Sequence, residues 1–220
     1  MVYTTYIFGL NDTLYNATEQ KSRARFAAVE AMIENGLPVD IETAYTTLEE
    51  VVREAGEDAP NHFNILLKRL GVRDDPRIIA AGVVAYRDVS RAALRPFPSV
   101  PSTLITLRER GRRLVALSCG DAVKEWQKLI QLGLQHYFHT VWVCEGGPLT
   151  AEVIKSALTN LAAPPTTTLF VSGVPSEVDA AGRVGLKAAL FQPRTVIPPK
   201  DTLGAKLIVH RFQEILGLDP

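Results

Sequence analysis

The chain has 220 residues, of which 46% are hydrophobic and 22% are charged. A chain of this size and composition can bury a full apolar core, which excludes an intrinsically disordered protein. Its 24 basic and 24 acidic residues give a formal net charge of zero, so no overall field attracts nucleic acid or an anionic membrane. We therefore expect neither a nucleic-acid partner nor a membrane partner.

Signals for export and for cysteine chemistry are missing from the sequence. No apolar run reaches the length of about 18 residues that crosses a bilayer, and Met1–Leu10 lacks the basic region and cleavage site of a secretory signal. We therefore expect a cytoplasmic protein. Cys119 and Cys144 each adjoin an apolar run and form no C-x-x-C pair. We predict that both are small buried apolar side chains and that neither forms a metal or redox site.

The first predicted element is a buried strand at Val2–Leu10, a β-branched and aromatic run that ends in a turn at Gly9–Thr13. Apolar residues at helical spacing then predict an all-helical block, with helices at about 18–35, 41–55, 61–71 and 76–94. After Pro96 and Pro98, helices and strands alternate. The predicted helices lie at about 100–110, 121–132, 150–162 and 175–184, and the predicted strands at about 113–118, 139–144, 167–172, 187–191 and 206–209.

This alternation predicts an α/β fold, in which a parallel sheet has helices on both of its faces. Open sheets of this kind bind their ligands at the carboxyl ends of the strands. The rule selects four loops as the candidate functional site, at residues 9–13, 118–121, 145–150 and 173–177.

Three of these loops carry motifs: Tyr6–Tyr15 spans the end of the first strand, Val115–Gly120 spans the end of the next predicted strand, and Leu169–Glu177 spans a later strand end. They resemble the first, second and fourth motifs of the haloacid dehalogenase (HAD) superfamily of hydrolases, in the phosphatase-like branch with a C1 cap. The resemblance covers essentially the whole chain. It implies a HAD-like, Rossmann-type core at residues 1–14 and 97–220, with a four-helix cap domain inserted at residues 15–96.

The first motif departs from the family's pattern at both of its chemical positions. In the family, its first aspartate attacks phosphorus and its second serves as acid and base, but these positions hold Gly9 and Asn11. Glycine offers no nucleophile, and an amide is neither an acid nor a base near neutral pH. Thr13 is retained. Asp12 leaves the strand on the opposite side from residues 9 and 11, so we expect it to brace the loop.

The remaining motifs have lost charge as well. The fourth motif supplies carboxylates to Mg²⁺ in the family, but its first acidic position holds Gly173, which leaves Glu177. The lysine of the third motif has no counterpart in residues 145–150, whereas Ser118 of the second motif is retained. We therefore expect no catalytic residue and no metal site, with Glu177 and Asp12 as the candidate metal ligands.

These losses predict a pseudoenzyme: a HAD-like protein without phosphatase chemistry that acts through binding, as a scaffold or a regulatory subunit. Its expected partner is another protein or a second copy of the chain, and no cofactor is expected. Two alternatives stay open. One is a divergent HAD hydrolase or phosphatase with weak activity that depends on Mg²⁺. The other is a metal-independent binder of an anion or a phosphorylated metabolite, through Leu10, Asn11, Asp12, Ser118 and Cys119.

Overall fold

Residues 2–57, 59–194 and 202–218 are described by the structure, which is a computed structural model. They group into two units. One unit contains the described residues up to Ala17 and from Leu94 onward, and the other contains those of Thr18–Ala93.

The second unit is helical. Its helices are α1 (Ala17–Glu34), α2 (Ile41–Ala55), α3 (His62–Arg69) and α4 (Pro76–Ala93). The side chain of Asp40 caps α2 by accepting a 2.9 Å hydrogen bond from the backbone N–H of Thr43, which satisfies one of the free donors at a helix start. Apolar side chains at helical spacing then form the core of this unit, among them Val29, Met32, Leu48 and Leu66.

An ion-pair cluster fixes α1 against the end of α2. The Arg25 guanidinium, whose side chain is only 11% exposed, lies 3.2 Å from a carboxylate oxygen of Glu49 and 2.6 Å from one of Glu57. Burial alone would raise the pKa of Glu57, but the hydrogen bond from Arg25 and the charge of Lys21 outweigh it and leave that pKa below its usual range. The ion pair with Glu57 therefore stabilises this unit only while Glu57 is ionised.

The first unit is built on a sheet whose described strands pair in parallel throughout, in the order β3-β2-β1-β4-β5-β6. Strand β1, with nearly continuous apolar residues, lies between β2 and β4 and is fully buried, as expected for a parallel sheet covered on both faces. The strands are β1 (Thr5–Gly9), β2 (Arg113–Cys119), β3 (Thr140–Cys144), β4 (Thr168–Ser172), β5 (Lys187–Phe191) and β6 (Ile208–Val209).

Helices cover both faces of this sheet. They are α5 (Val100–Glu109), α6 (Ala122–Gln131), α7 (Ala151–Asn160) and α8 (Pro175–Arg183). Because side chains alternate along a strand, Tyr6 and Phe8 pack with α5 and α6 on one face, whereas Ile7 packs with α7 and α8 on the other. The predicted α/β fold, with a parallel sheet flanked by helices, is confirmed.

The chain moves from β1 to β2 on one side of the sheet and later returns to β4 on the other side. Loops that leave neighbouring strands in opposite directions open a crevice at their carboxyl ends, where such folds hold their ligands. The loops after β1, β2 and β4 therefore meet at one edge of the sheet.

No helix in the described part of the chain is both long and apolar enough to cross a bilayer.

Candidate functional site

The loop after β1 carries most of the predicted site residues. Gly9 ends the strand, and the Leu10 side chain is buried in the core, which leaves only its backbone for a ligand. Asn11 and Asp12 are half-buried, whereas Thr13 is fully buried. Asp12 has a positive φ of 54°, a left-handed conformation that aspartate tolerates better than most residues because its short side chain can bond locally.

Polar side chains from the ends of β1 and β4 meet beside Gly9, and we call Thr13, Ser172 and Glu177 the Glu177 cluster. The Ser172 hydroxyl donates a 2.6 Å hydrogen bond to Oε2 of Glu177. The backbone N–H of Gly173 donates to Oγ1 of Thr13 at 2.9 Å. These bonds join the two strand ends and hold the half-buried Glu177 carboxylate in a fixed direction.

The Glu177 carboxylate lies beside the space that a side chain at position 9 would occupy. A Cβ atom built on Gly9 would be 3.1 Å from Oε2 of Glu177, 2.9 Å from Oγ1 of Thr13 and 3.2 Å from Oγ of Ser172. A side chain at residue 9 would therefore require the hydroxyl of Thr13 and the Glu177 carboxylate to shift. A carboxylate is thus present at the end of β1, although it comes from α8 rather than from the strand itself.

Gly173 is required by the close approach of the loop after β1. A Cβ atom on Gly173 would lie 1.7 Å from the backbone carbonyl oxygen of Asp12, far inside the contact distance of any two atoms. No side chain fits at position 173 while this loop keeps its conformation. The conformation of the loop after β1 therefore excludes an acidic side chain at position 173.

A second network joins the ends of β1 and β2, and we call Asn11, Tyr15, Ser118, Glu125 and Lys128 the Lys128 cluster. The Ser118 hydroxyl donates to Oε2 of Glu125 at 2.7 Å. The Lys128 ammonium lies 2.5 Å from Oε1 of Glu125 and 3.3 Å from Oδ1 of Asn11. The Tyr15 hydroxyl donates to the same Asn11 oxygen at 2.8 Å. A cation thus lies beside the retained Ser118 and the loop after β1.

The sequence interpretation missed Glu125 and Lys128. It looked for a lysine in residues 145–150, whereas the structure brings one from α6. That helix begins directly after β2, because the Asp121 side chain accepts a 2.8 Å hydrogen bond from the backbone N–H of Lys124. Residues three apart on a helix share a face, so the spacing of Glu125 and Lys128 was the available signal.

The prediction for the two cysteines is wrong. Cys119 and Cys144 are the last residues of β2 and β3, face each other in the strand register and form a disulfide. Both are half-buried rather than enclosed in the core. Because they are 25 residues apart in the sequence, no local sequence pattern predicts this contact. Parallel pairing of neighbouring strands creates it.

The donor set for a metal is sparse. Among residues 2–57, 59–194 and 202–218 no group of three or more histidine, cysteine, aspartate and glutamate side chains could hold a metal ion. The carboxylates that adjoin the ends of β1 and β4 are Asp12 and Glu177. Mg²⁺ is commonly held by one or two carboxylates, with water and substrate phosphate as the other ligands. Asp12 and Glu177 are therefore the carboxylates available at these strand ends to a magnesium ion shared with a bound phosphate.

The sequence is similar to known hydrolases. A model of the haloacid dehalogenase-like hydrolase family matches residues 3–185. The chain is 47% identical over 141 residues to a glyceraldehyde 3-phosphate phosphatase from Methanopyrus kandleri, a match that covers 63% of this chain and 60% of that relative's length. It is 34% identical over 216 residues to the glyceraldehyde 3-phosphate phosphatase of Methanocaldococcus jannaschii, covering 96% and 95% of the two chains.

The fold is also similar to that of solved structures. The HAD-hydrolase YfnB from Bacillus subtilis, in a crystal form bound to magnesium, superposes with a TM-score of 0.68 at 15% sequence identity. The superposition covers 99% of each chain. At this identity the likeness supports the fold alone.

The prediction of a pseudoenzyme that acts as a binding scaffold or regulatory subunit is wrong. Relatives at 47% and 34% identity are named as phosphatases, which supports an enzyme and the alternative of a divergent hydrolase. The expectation that no cofactor is needed is likewise not supported by the match to the hydrolase family model. The prediction failed because it judged each motif position separately. Glu177, which the fourth motif retains, brings an acid to the end of β1, and Lys128 brings a cation there from outside the motifs.

Proposed function

We propose that this chain, which belongs to the haloacid dehalogenase-like hydrolase family, hydrolyses a phosphate monoester of a small metabolite. The names of its relatives suggest a phosphorylated three-carbon aldehyde, glyceraldehyde 3-phosphate, as the first substrate to try. The observation that carries the proposal is the Glu177 carboxylate, which reaches the end of β1 where Gly9 offers no side chain.

Glu177 acts as a general base in this proposal. Oε2 accepts a 2.6 Å hydrogen bond from Ser172, which orients the carboxylate. The carboxylate removes a proton from a water molecule as the water oxygen bonds to phosphorus. The ester P–O bond breaks, the leaving alkoxide takes a proton from solvent, and phosphate and an alcohol are the products. No covalent intermediate is needed, which suits a chain with glycine at position 9.

The phosphate group is bound by the neighbouring loops. The backbone N–H groups of residues 10–12 and the hydroxyl of Ser118 are the donors predicted from the sequence, together with the loop at Cys119. The Ser118 hydroxyl donates its single proton to Glu125 at 2.7 Å, so it has to turn away from Glu125 to donate to a phosphate. Backbone donors and a hydroxyl turned toward the phosphate can stabilise the negative charge that develops on phosphoryl oxygens.

Mg²⁺ is the proposed cofactor, which Asp12 and the phosphate of the substrate would hold while Glu177 remains free to act as the base. When bound, it would neutralise phosphoryl charge and make a coordinated water more acidic. Because the protein supplies few carboxylates, the affinity for Mg²⁺ in the absence of phosphate is expected to be weak.

The test is the release of inorganic phosphate from glyceraldehyde 3-phosphate and from a generic aryl phosphate, with and without Mg²⁺. Turnover that depends on Mg²⁺ and is lost in Glu177→Gln supports the proposal. Turnover that survives Glu177→Gln at the wild-type rate would exclude Glu177 as the base.

The cytoplasmic location and the partner, another protein or a second copy of the chain, stay predictions. Light scattering of the purified protein tests the second copy directly. A molecular mass near 24.1 kDa, that of a single chain, would exclude a stable homodimer.

A further inference from the structure

We infer that Lys128 is the residue that binds the phosphoryl group, supplying the positive charge that residues 145–150 lack. This inference rests on the proposed phosphatase function. The geometry that carries it is the position of the Lys128 ammonium, 3.3 Å from Oδ1 of Asn11 and 2.5 Å from Oε1 of Glu125.

Lys128 belongs to the strand-end site despite its place in the second turn of α6. Its partner Asn11 is 117 residues away in the sequence, in the loop after β1. Its other partner, Glu125, also accepts the hydroxyl of Ser118 at 2.7 Å. The ammonium is therefore connected by hydrogen bonds to the loop and to the serine that are expected to hold the phosphate.

Burial distinguishes Lys128 from the surface lysines of neighbouring helices. Its side chain is 26% exposed and that of Glu125 is 5% exposed, whereas Lys124 and Lys155 are exposed to solvent. A partly desolvated ammonium attracts an anion more strongly than a fully solvated one does. The remaining exposed fraction gives a phosphate access to it.

Glu125 positions the cation and the serine together. Its two carboxylate oxygens accept from Ser118 and from Lys128, so one buried side chain holds both groups, and the Lys128 ammonium keeps further N–H donors for a phosphate. Its negative charge also competes with a bound phosphate for Lys128. Neutralising Glu125 while keeping its shape should therefore free the cation, and the affinity for phosphate should rise.

The experiment measures the affinity for inorganic phosphate by calorimetry, and the phosphate-dependent rise in melting temperature, in the full chain. The variants are Lys128→Met, Lys128→Arg, Glu125→Gln and the double variant Glu125→Gln/Lys128→Met. Lys155→Ala, on α7 and outside the Lys128 cluster, is the matched control. The double variant is needed because Lys128→Met alone leaves the buried Glu125 carboxylate without its cation and risks unfolding.

Lys128→Met and the double variant are expected to weaken phosphate binding by about 10- to 100-fold, the usual value of a hydrogen bond to a charged group. Lys128→Arg should recover part of that loss, Glu125→Gln should strengthen binding, and Lys155→Ala should change nothing. Wild-type affinity in the folded double variant would overturn the inference. So would a wild-type protein that binds no phosphate, or an arginine variant no better than methionine.

Steady-state kinetics separate this inference from the proposed function. If Lys128→Met loses phosphate binding while the wild type hydrolyses no ester, Lys128 is an anion-binding residue and the phosphatase function fails. If the wild type turns over substrate and Lys128→Met keeps both its KM and its kcat, the function stands and the role of Lys128 is refuted. A raised KM or a lowered kcat that arginine partly restores supports both.

Discussion

The most informative substitution is Glu177→Gln, because it changes the charge of one side chain and almost nothing else. Glutamine has the size of glutamate and can still accept the hydrogen bond that Ser172 donates at 2.6 Å to Oε2. The Glu177 cluster should therefore keep its arrangement. An amide cannot take a proton from water near neutral pH.

The expected loss follows from the role assigned to Glu177. A positioned general base contributes about 10² to 10⁴ in rate, which corresponds to about 2.7 to 5.5 kcal/mol of activation free energy. We expect kcat for phosphate release from glyceraldehyde 3-phosphate to fall by that factor, with an unchanged melting temperature. Because Gly9 offers no side chain beside Glu177, the sequence supplies no second base at that position.

Asp179→Asn is the matched control. Asp179 is an exposed carboxylate on the same helix and pairs with Arg183 at 2.6 Å. Its substitution should leave kcat within about twofold, as expected for an exposed pair that contributes little. Equal kcat values for the wild type and Glu177→Gln, both well above the buffer background, would refute the reasoning.

The remaining predictions concern stability. The Cys119–Cys144 disulfide joins residues 25 positions apart, and its reduction should lower the free energy of unfolding by about 3.5 kcal/mol. Denaturant titration with and without a reductant measures this change. An equal denaturation midpoint in both would refute the prediction. The pKa of Glu57 is lowered on folding, so its contribution is present above the usual glutamate pKa of 4.5 and is lost as the pH falls through the lower folded value. Melting temperatures at about pH 3 to 7 should therefore fall more steeply on the acid side in the wild type than in Glu57→Gln. Gly173→Asp should destabilise the fold by about 1–3 kcal/mol or more, because its Cβ would meet the carbonyl oxygen of Asp12 at 1.7 Å; a melting temperature equal to the wild type would contradict this.

The fold could be predicted because its determinants are local. Alternation of apolar strand runs with helical spacing placed each strand of the sheet, and the cap residue Asp121 marked the start of α6 where the pattern expected it. The last strand was predicted at residues 206–209 but covers only Ile208–Val209. Strand ends depend on pairing with a neighbour, which a one-dimensional pattern does not contain.

The site was harder to predict because its chemistry depends on contacts between distant residues. The losses at Gly9 and Gly173 were visible in the sequence. Two other features arise only when the fold brings the strand ends together. They are the Glu177 carboxylate beside Gly9 and the hydrogen bond from Lys128 to Asn11. Side chains from motif positions that are far apart in the sequence lie close together in the fold. The loss of a side chain at one position therefore does not measure the loss of the function.

The central claim is that this chain hydrolyses a phosphate monoester, and the most direct test is a timed assay of phosphate release. Purified wild-type protein is incubated with glyceraldehyde 3-phosphate and Mg²⁺, and inorganic phosphate is measured against a heat-denatured sample. We predict release that is linear in enzyme concentration, that requires Mg²⁺ and that drops in Glu177→Gln. Release no faster than in the denatured control, with this ester and with an aryl phosphate, would contradict the claim.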